Sequence, residues 1–274
     1  MITSSVYAVT RRAVVIGLGE QADKSWAKIN GDRDVPLVTS MLRSNGFSDV
    51  VTLVNSRATK AAILSTFDAL IKRSQKGDIV YIQFSGHGQL MTDLNGDEKD
   101  GLDEAWIPYD AYLEYCAADR GEKHLSDDEV ALYMSRLRDK IGSEGAIVVV
   151  VDACHSGDST RDLCTADSAV VRGVDEVFRI PGRHYGTGSD VPEETWLTLS
   201  ACQNFQINQE YNGVGKLTHI LVNNWRDYVG LSDRSIFSAI DRTYETRKYK
   251  GQLAQNPRLS GVSGKILSKI FVKK

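Results

Sequence analysis

The 274-residue sequence predicts an α/β fold, a mainly parallel central sheet flanked by helices on both faces. Three observations carry that expectation. Short apolar runs that read as buried strands alternate with amphipathic helical stretches, the order that winds a parallel sheet. Hydrophobic residues make up 42% of the chain and charged residues 25%, enough apolar surface for an ample core. Two apolar runs, 78–84 (DIVYIQF) and 146–151 (AIVVVV), lead straight into the polar tracts SGHG at 85–88 and DACHSG at 152–157. A parallel sheet would deliver both tracts to the carboxyl ends of its strands, where open α/β sheets place their chemistry.

The elements follow in order. Residues 12–18 (RAVVIGL) read as a first buried strand, followed by a loop holding Gly19 and Gly31. Residues 34–45 space Val35, Val38, Met41 and Leu42 as a helix, with Gly46 as its left-handed cap. A short strand at 50–54 precedes an amphipathic helix at 59–73, whose face is Ala62, Ile63, Phe67, Leu70 and Ile71. Gly77-Asp78 turns into the strand that ends at SGHG. Ser126-Asp127-Asp128-Glu129 is a capping box that opens a helix at 127–140. After the strand before Cys154 comes a polar stretch, 156–194, with seven glycines and prolines and little apolar period; a structureless loop of that length is usually functional or disordered. A strand at 196–201, helices at 216–228 and from Ser232 to about 248, and a short strand near 256–260 complete the reading. No internal repeat or low-complexity region stands out. One domain, 1–274, is expected, with halves 1–158 and 195–274 joined by an intradomain loop at 159–194.

A net charge of −3 and scattered basic residues give no footprint for nucleic acid. The basic end (Lys269, Lys273, Lys274) reads as a solvated tail. The longest apolar run is too short to cross a bilayer, and the amino terminus lacks the order of a secretory signal. Cys116, Cys154, Cys164 and Cys202 show neither CxxC pairing nor zinc spacing, so reduced thiols in a cytoplasm are expected. Cys116, Cys164 and Cys202 carry no motif.

Cysteine becomes a strong nucleophile when a nearby base takes its proton, and histidine titrates in the right range to do so. His87 and Cys154 at neighbouring strand ends therefore read as a cysteine–histidine hydrolase. His155 adjoins the cysteine, but adjacent side chains on an extended strand point to opposite faces, so it is assigned a packing or loop-ordering role. His124, His184 and His219 have no motif around them. A serine hydrolase using Ser156 would need the G-x-S-x-G elbow, which is absent.

SGHG and DACHSG in this order resemble the caspase-like peptidases, and among them the metacaspases and bacterial orthocaspases rather than animal caspases, whose Q-A-C-x-G tract is missing. The resemblance extends to 31–47, like that family's first helix, and to 199–203 and 256–259, like its small-subunit strands. It implies a caspase-like fold in which Cys154 attacks a peptide carbonyl and His87 carries the proton to the leaving amine. The turn 86–88, with Gly88, and the Cys154 amide would hold the oxyanion. It also implies that Asp34 and Ser85 line the first specificity pocket. Asp152, two residues before Cys154, shares its face. Carboxylates in a recess favour guanidinium or ammonium, and Asn30 stands where animal caspases carry an arginine, so cleavage after arginine or lysine is expected. A plainer reading also stands, in which Asp152 caps a strand end and Asp34 opens a helix.

The acidic tract 92–104 spaces Asp93, Asn95, Asp97 and Glu104 like an EF-hand, but Glu98 replaces the required glycine and no helix flanks it. The resemblance instead implies that calcium, not needed for the chemistry itself, acts as an activator on Asp103, Asp127, Asp128 and Asp162. The alternative makes the aspartates favourable helix-start charges and a solvated loop. Arg161, Arg172, Arg179 and Arg183 mark the 156–194 loop as a place for self-cleavage or for an activating protease. Protein or peptide substrates with a basic residue at the cleaved bond are the expected partners, with no nucleic acid and no membrane. A protease released by a partner or upstream protease without calcium, and a non-catalytic interaction module, are the alternatives. The first strand begins so early that no recruitment prodomain is expected ahead of it.

Overall fold

The structure, a computed structural model, describes residues 8–154, 170–182, 192–203, 206–246, 255–262 and 264–272. The roles expected of His155, Ser156, Arg161, Asp162, Cys164, Arg183 and His184 lie outside the described residues. The chain runs β1 (Arg11–Gly17), α1 (Gly31–Ser44), β2 (Asp49–Val54), α2 (Lys60–Arg73), β3 (Ile79–Ser85), β4 (Gly88–Thr92), β5 (Leu102–Trp106), β6 (Leu125–Ser126), α3 (Asp127–Ile141) and β7 (Ala146–Asp152). It continues through β8 (Leu197–Ser200), β9 (Glu210–Tyr211), β10 (Val214–Gly215), α4 (Lys216–Asn224), α5 (Asp233–Thr246), β11 (Arg258–Gly261) and α6 (Ile266–Ile270).

A six-stranded sheet in the order β11-β8-β7-β3-β1-β2 forms the centre. Its strands are parallel except β11, which runs antiparallel to β8. Successive strand residues point to opposite faces, so each buried strand feeds two cores. Ala13, Val15, Tyr81, Val148 and Val150 pack with α1, α4, α5 and α6 on one face. Val14, Ile16, Ile82, Val149 and Val151 pack with α2 and α3 on the other. No helix among the described residues is long and apolar enough to cross a membrane.

Most expected elements form within a few residues of their predicted ends. The capping box is present: the Ser126 hydroxyl accepts from the Glu129 N–H and the Glu129 side chain accepts from the Ser126 N–H. Two departures matter for the site. The acidic tract is not simply a solvated loop, because β4, β5 and β6 form a separate antiparallel sheet around it. The stretch expected to be structureless also carries order: Phe178 exchanges backbone hydrogen bonds with β4 through Leu90 and Thr92, and residues 170–172 pair with residues 208–210.

Helix α1 starts three residues earlier than its apolar spacing suggests, at Gly31 rather than Asp34. The reason is close approach: a Cβ on Gly31 would collide with the Ser85 carbonyl oxygen and lie 2.5 Å from that of Leu18. Only glycine lets the helix start directly over the ends of β1 and β3. A Gly31→Ala protein is expected to lose about 1–3 kcal/mol of stability, the usual cost of forcing a methyl into a filled space. Denaturant unfolding measures it, and an unchanged midpoint would mean that the helix can lift off without cost.

Candidate active site

Strands β1, β3 and β7 end level with one another, for Ser85 pairs with both Gly17 and Asp152. His87 and Cys154 each lie two residues beyond that line, so the strand register sets them at adjacent points of one edge. Both are fully buried. His87 Nε2 lies 2.8 Å from the Ala27 carbonyl oxygen. A carbonyl can only accept, so Nε2 carries the hydrogen and the neutral ring keeps its lone pair on Nδ1. Nδ1 is buried with no hydrogen-bond partner among the described residues. The ring packs beside Trp26, centroids 5.0 Å apart. Burial pushes the imidazole down to about 4, against the Ala27 hydrogen bond, and the Arg172 charge adds to the lowering.

The Cys154 thiol donates to the Gln206 carbonyl (2.6 Å), while its backbone N–H donates to the Arg172 carbonyl oxygen (2.8 Å). Cys202 lies against it; a hydrogen bond with the Cys154 sulfur, then burial, pushes the Cys202 thiol well above its usual range. No local motif marks Cys202 as a neighbour of Cys154. Cys116, Cys154 and Cys202 are free thiols. Gly88 opens β4 opposite Trp106, directly after His87.

Arg172 occupies the recess beside the cysteine. Its N–H donates to the Asn208 carbonyl (2.9 Å), and the Glu210 N–H donates to the Val170 carbonyl (2.9 Å), which makes residues 170–172 a short antiparallel strand on residues 208–210. The guanidinium is completely buried. Nη1 and Nη2 donate to the two oxygens of Asp34 (2.6 and 3.2 Å), Nη1 also lies 3.5 Å from Asp152, and Nε donates to Glu210 (3.1 Å). Burial alone would lower the guanidinium's pKa, but the Asp34 and Asp152 carboxylates outweigh it and hold the charge firmly. Burial in turn pushes the Asp34 carboxyl up, and Arg172 pulls it back.

Two of the three expected pocket residues, Asp34 and Asp152, thus meet on one guanidinium. Asp34 does not open α1, which starts at Gly31 with Asn30 before it, but stands in the helix's first turn, where a negative charge is also favourable. Ser85 is buried beneath and accepts from Gln83 Nε2 (3.1 Å). The hydroxyl that serves the carboxylates is that of Thr218, which donates to Asp152 (2.7 Å) and lies 3.2 Å from Asp34. Asn208 Nδ2 donates to Asp152 (2.8 Å) and the Gly215 N–H to Asp34 (3.1 Å). Gly215 is the wall: a Cβ there would strike Asp152 and lie 2.5 Å from Arg172 Nη1. Glu210, Thr218 and Asn208 carry no motif in the sequence. The Asn212-Gly213 pair, both at positive φ (53° and 71°), was the available signal, since it marks the tight turn joining β9 to β10.

Of the four loop arginines, Arg172 is the one that reaches Cys154 among the described residues. Arg179 is exposed and follows Phe178, whose backbone is held by β4.

The acidic residues gather on the second sheet. Oxygens of Asp93, Asp97 and Asp103 all come within 4.8 Å of one another. That group holds Asp103 of the expected calcium set and adds Asp93 and Asp97, while Asp127 and Asp128 stand close enough to Asp103 to act on its charge and Asp162 lies outside the described residues. The added pair has a physical source: the β4–β5 hairpin folds the two ends of the tract back on each other, which linear spacing does not reveal. Asp103 is 2% exposed and its Oδ1 has no hydrogen-bond partner among the described residues. Burial and then Asp128 and Asp93 push Asp103 up to about 7; burial and then Glu104, Asp128 and Asp103 push Asp127 up to about 8. Burial, then Asp97 and Asp93, push Asp128 up to about 6. A cavity of about 760 Å³ connects Asp97, Glu104, Asp127 and Asp128 to Cys202.

Residues 11–163 match the family described as metacaspase, peptidase C14 domain. Metacaspase-1A of Aspergillus fumigatus is 34% identical over 165 residues, 56% of this chain but 36% of that protein. Metacaspase-1 of Emericella nidulans is likewise 34% identical over 165 residues, 56% of this chain and 37% of that protein. The match thus covers little more than a third of the curated relatives' length. Among solved structures, a Geobacter sulfurreducens protein superposes with a TM-score of 0.65 at 24% identity, covering 92% of both chains. Caspase-1 from Spodoptera frugiperda superposes with a TM-score of 0.60 at 12% identity, covering 92% of this chain and 88% of that one, a likeness of fold.

A histidine held near 4 when folded and near 6.5 when unfolded ties stability to pH. The unfolded chain binds the proton first, so His87 contributes stability that is fully present above about 6.5 and is lost as pH falls toward 4. Thermal melts across that window on wild type and His87→Gln are expected to differ in slope by up to one proton. Parallel slopes would show that His87 is not buried as the neutral ring.

Proposed function

Because this chain belongs to the metacaspase family, we propose that it is a cysteine endopeptidase in which Cys154 is the nucleophile, His87 the proton carrier and Asp34 with Asp152 the pocket for a basic side chain. The observation that carries this reading is Arg172, whose side chain fills the acidic recess while its carbonyl oxygen meets the Cys154 N–H.

The chemistry follows from the atoms in place. His87 Nδ1, the ring nitrogen with the free lone pair, takes the thiol proton. The sulfur leaves the Gln206 carbonyl by rotation about χ1 and attacks the carbonyl carbon held beside it. The developing oxyanion accepts from the Cys154 N–H, with the Gly88 N–H as second donor. The tetrahedral adduct collapses with rupture of the carbon–nitrogen bond, and the leaving amine takes the proton from His87. Water, deprotonated by the same ring, then cleaves the thioester and restores the thiol. Extended pairing with residues 208–210 supplies position, as strand addition does in peptide recognition.

The first substrate is the chain itself. Arg172–Gly173 is the bond presented to Cys154, and a Cβ on Gly173 would lie 2.7 Å from the Cys154 carbonyl oxygen, so glycine fits the leaving side. Until it is cut, Arg172 blocks the pocket against other substrates. The reading covers the whole chain as one peptidase domain. It also places the enzyme in the cytoplasm, whose reducing conditions its free thiols suit.

Calcium is the proposed activator. Asp93, Asp97 and Asp103 fit a hard cation: their oxygens converge, one oxygen of Asp103 is buried without a partner among the described residues, and burial, then the like charges of Asp128 and Asp93, hold the Asp103 carboxyl above its usual range. The ion would offset that repulsion and stiffen the β4–β5 hairpin, to which Phe178 and hence the Arg172 segment are tied.

Purified wild-type protein is expected to split between residues 172 and 173, while Cys154→Ala and Arg172→Gln stay whole; intact-mass spectrometry reads the fragments. Cleavage of the Cys154→Ala protein at the same bond, with no other protease present, would refute the self-processing step. Calcium is expected to raise the melting temperature of Cys154→Ala protein, where no cleavage confuses the reading, and to do so far less in a Cys154→Ala, Asp103→Asn double variant. Equal shifts in the two would remove Asp103 from the ion's ligands.

A further inference from the structure

The recess holds a third carboxylate that does a different job from the other two. Glu210 lies on β9, almost wholly buried. One of its oxygens accepts from the Asn30 backbone N–H (2.7 Å) and from Arg172 Nε (3.1 Å); the other accepts from Asn30 Nδ2 (2.5 Å). Asn30 is the residue that caps α1, yet its side chain makes no hydrogen bond to the helix. An asparagine that could serve the helix start is spent on holding the Glu210 carboxylate in one orientation. The atom so presented faces Nε, and Nε is the donor by which arginine differs from lysine along the same stem.

We propose that Glu210 makes this pocket select arginine over lysine, an assignment that rests on the pocket reading above. Asp34 and Asp152 attract any cation at the end of the chain. Glu210 reads the position before the end. In lysine that position is Cε, a methylene, which would set an apolar group against a buried carboxylate oxygen and give up a charge-assisted hydrogen bond. The lysine ammonium would also present a point charge to Asp34, where the guanidinium presents two parallel donors. Glu210 would keep the Asn30 N–H but lose its charged donor, and a hydrogen bond lost at a buried charge discriminates more steeply than size does.

The test uses three reporter peptides that share Val-Val before the cleaved residue, as in residues 170–172. That residue is arginine, lysine, or the arginine isostere in which Nε is a methylene and the end an amidinium. In wild type, kcat/KM is expected to fall at least about tenfold from arginine to the isostere, the factor that the loss of one charge-assisted hydrogen bond implies. Glu210→Leu is expected to lower arginine by that factor and to leave the isostere within about threefold, so that the ratio collapses. A Glu210→Leu protein that loses all three substrates equally would reduce Glu210 to a support for Asn30 and overturn the proposal. Wild type cutting the isostere as fast as arginine would overturn it too, and needs no variant to fold. Failure on all three peptides, with cleavage after a non-basic residue, would sink the pocket reading first and this assignment with it.

Discussion

Three carboxylates around one buried guanidinium are the interaction on which the site depends. Asp34 comes from α1, Asp152 from the end of β7 and Glu210 from β9, so Arg172 pins three separate parts of the chain together. Ionised carboxylates this deep are tolerated only when paired and hydrogen-bonded. Thr218, Asn208 and the Gly215 N–H satisfy the remaining oxygens, and the absent side chain of Gly215 leaves room for the cation. Withdrawal of the guanidinium would leave three negative groups facing each other away from water. In the proposed reaction that imbalance draws the next basic side chain in. Under that proposal the charges that hold the uncut chain closed would also provide the affinity of the opened enzyme.

Cys154 and His87, the proposed nucleophile and base, are held differently. The register of β3 and β7 brings them together, and each is then held by a backbone carbonyl from elsewhere: Ala27 fixes the His87 ring, and Gln206 holds the thiol. Burial keeps His87 neutral and its free nitrogen ready to accept. In the proposed reaction the thiol rotates away from Gln206 before it attacks, so the resting arrangement aligns the carbonyl and the pocket ahead of the sulfur.

The acidic hairpin is linked to this centre through packing. Phe178 joins β4 by backbone hydrogen bonds, and Phe178 lies six residues beyond Arg172 on the same strap. Gln89, one residue into β4, donates to the Glu176 carbonyl and ties the strap a second time. Charge repulsion among Asp93, Asp97, Asp103, Asp127 and Asp128 therefore acts on the strand that holds the strap. An ion there would change how firmly Arg172 is presented, without touching the reacting atoms.

The sequence by itself determined the fold class, the order of strands and helices around the site and the two tracts that carry His87 and Cys154. These are local: alternation, helical spacing, caps and short motifs are written in neighbouring residues. It also placed Asp34 and Asp152 at the ends of elements that a parallel sheet brings together. What only the tertiary structure decided lies between residues far apart in the chain. Glu210 meets Arg172 and Asn30 across 38 and 180 positions, and no local pattern encodes such pairings. The early start of α1 depends on a carbonyl contributed by Ser85, and the carboxylates that converge with Asp103 depend on a hairpin that linear spacing hides. Above all, four loop arginines looked equivalent by composition. Arg172 came to the pocket because residues 170–172 pair with residues 208–210, and backbone pairing of that kind is settled only when the rest of the fold sets the partner in place.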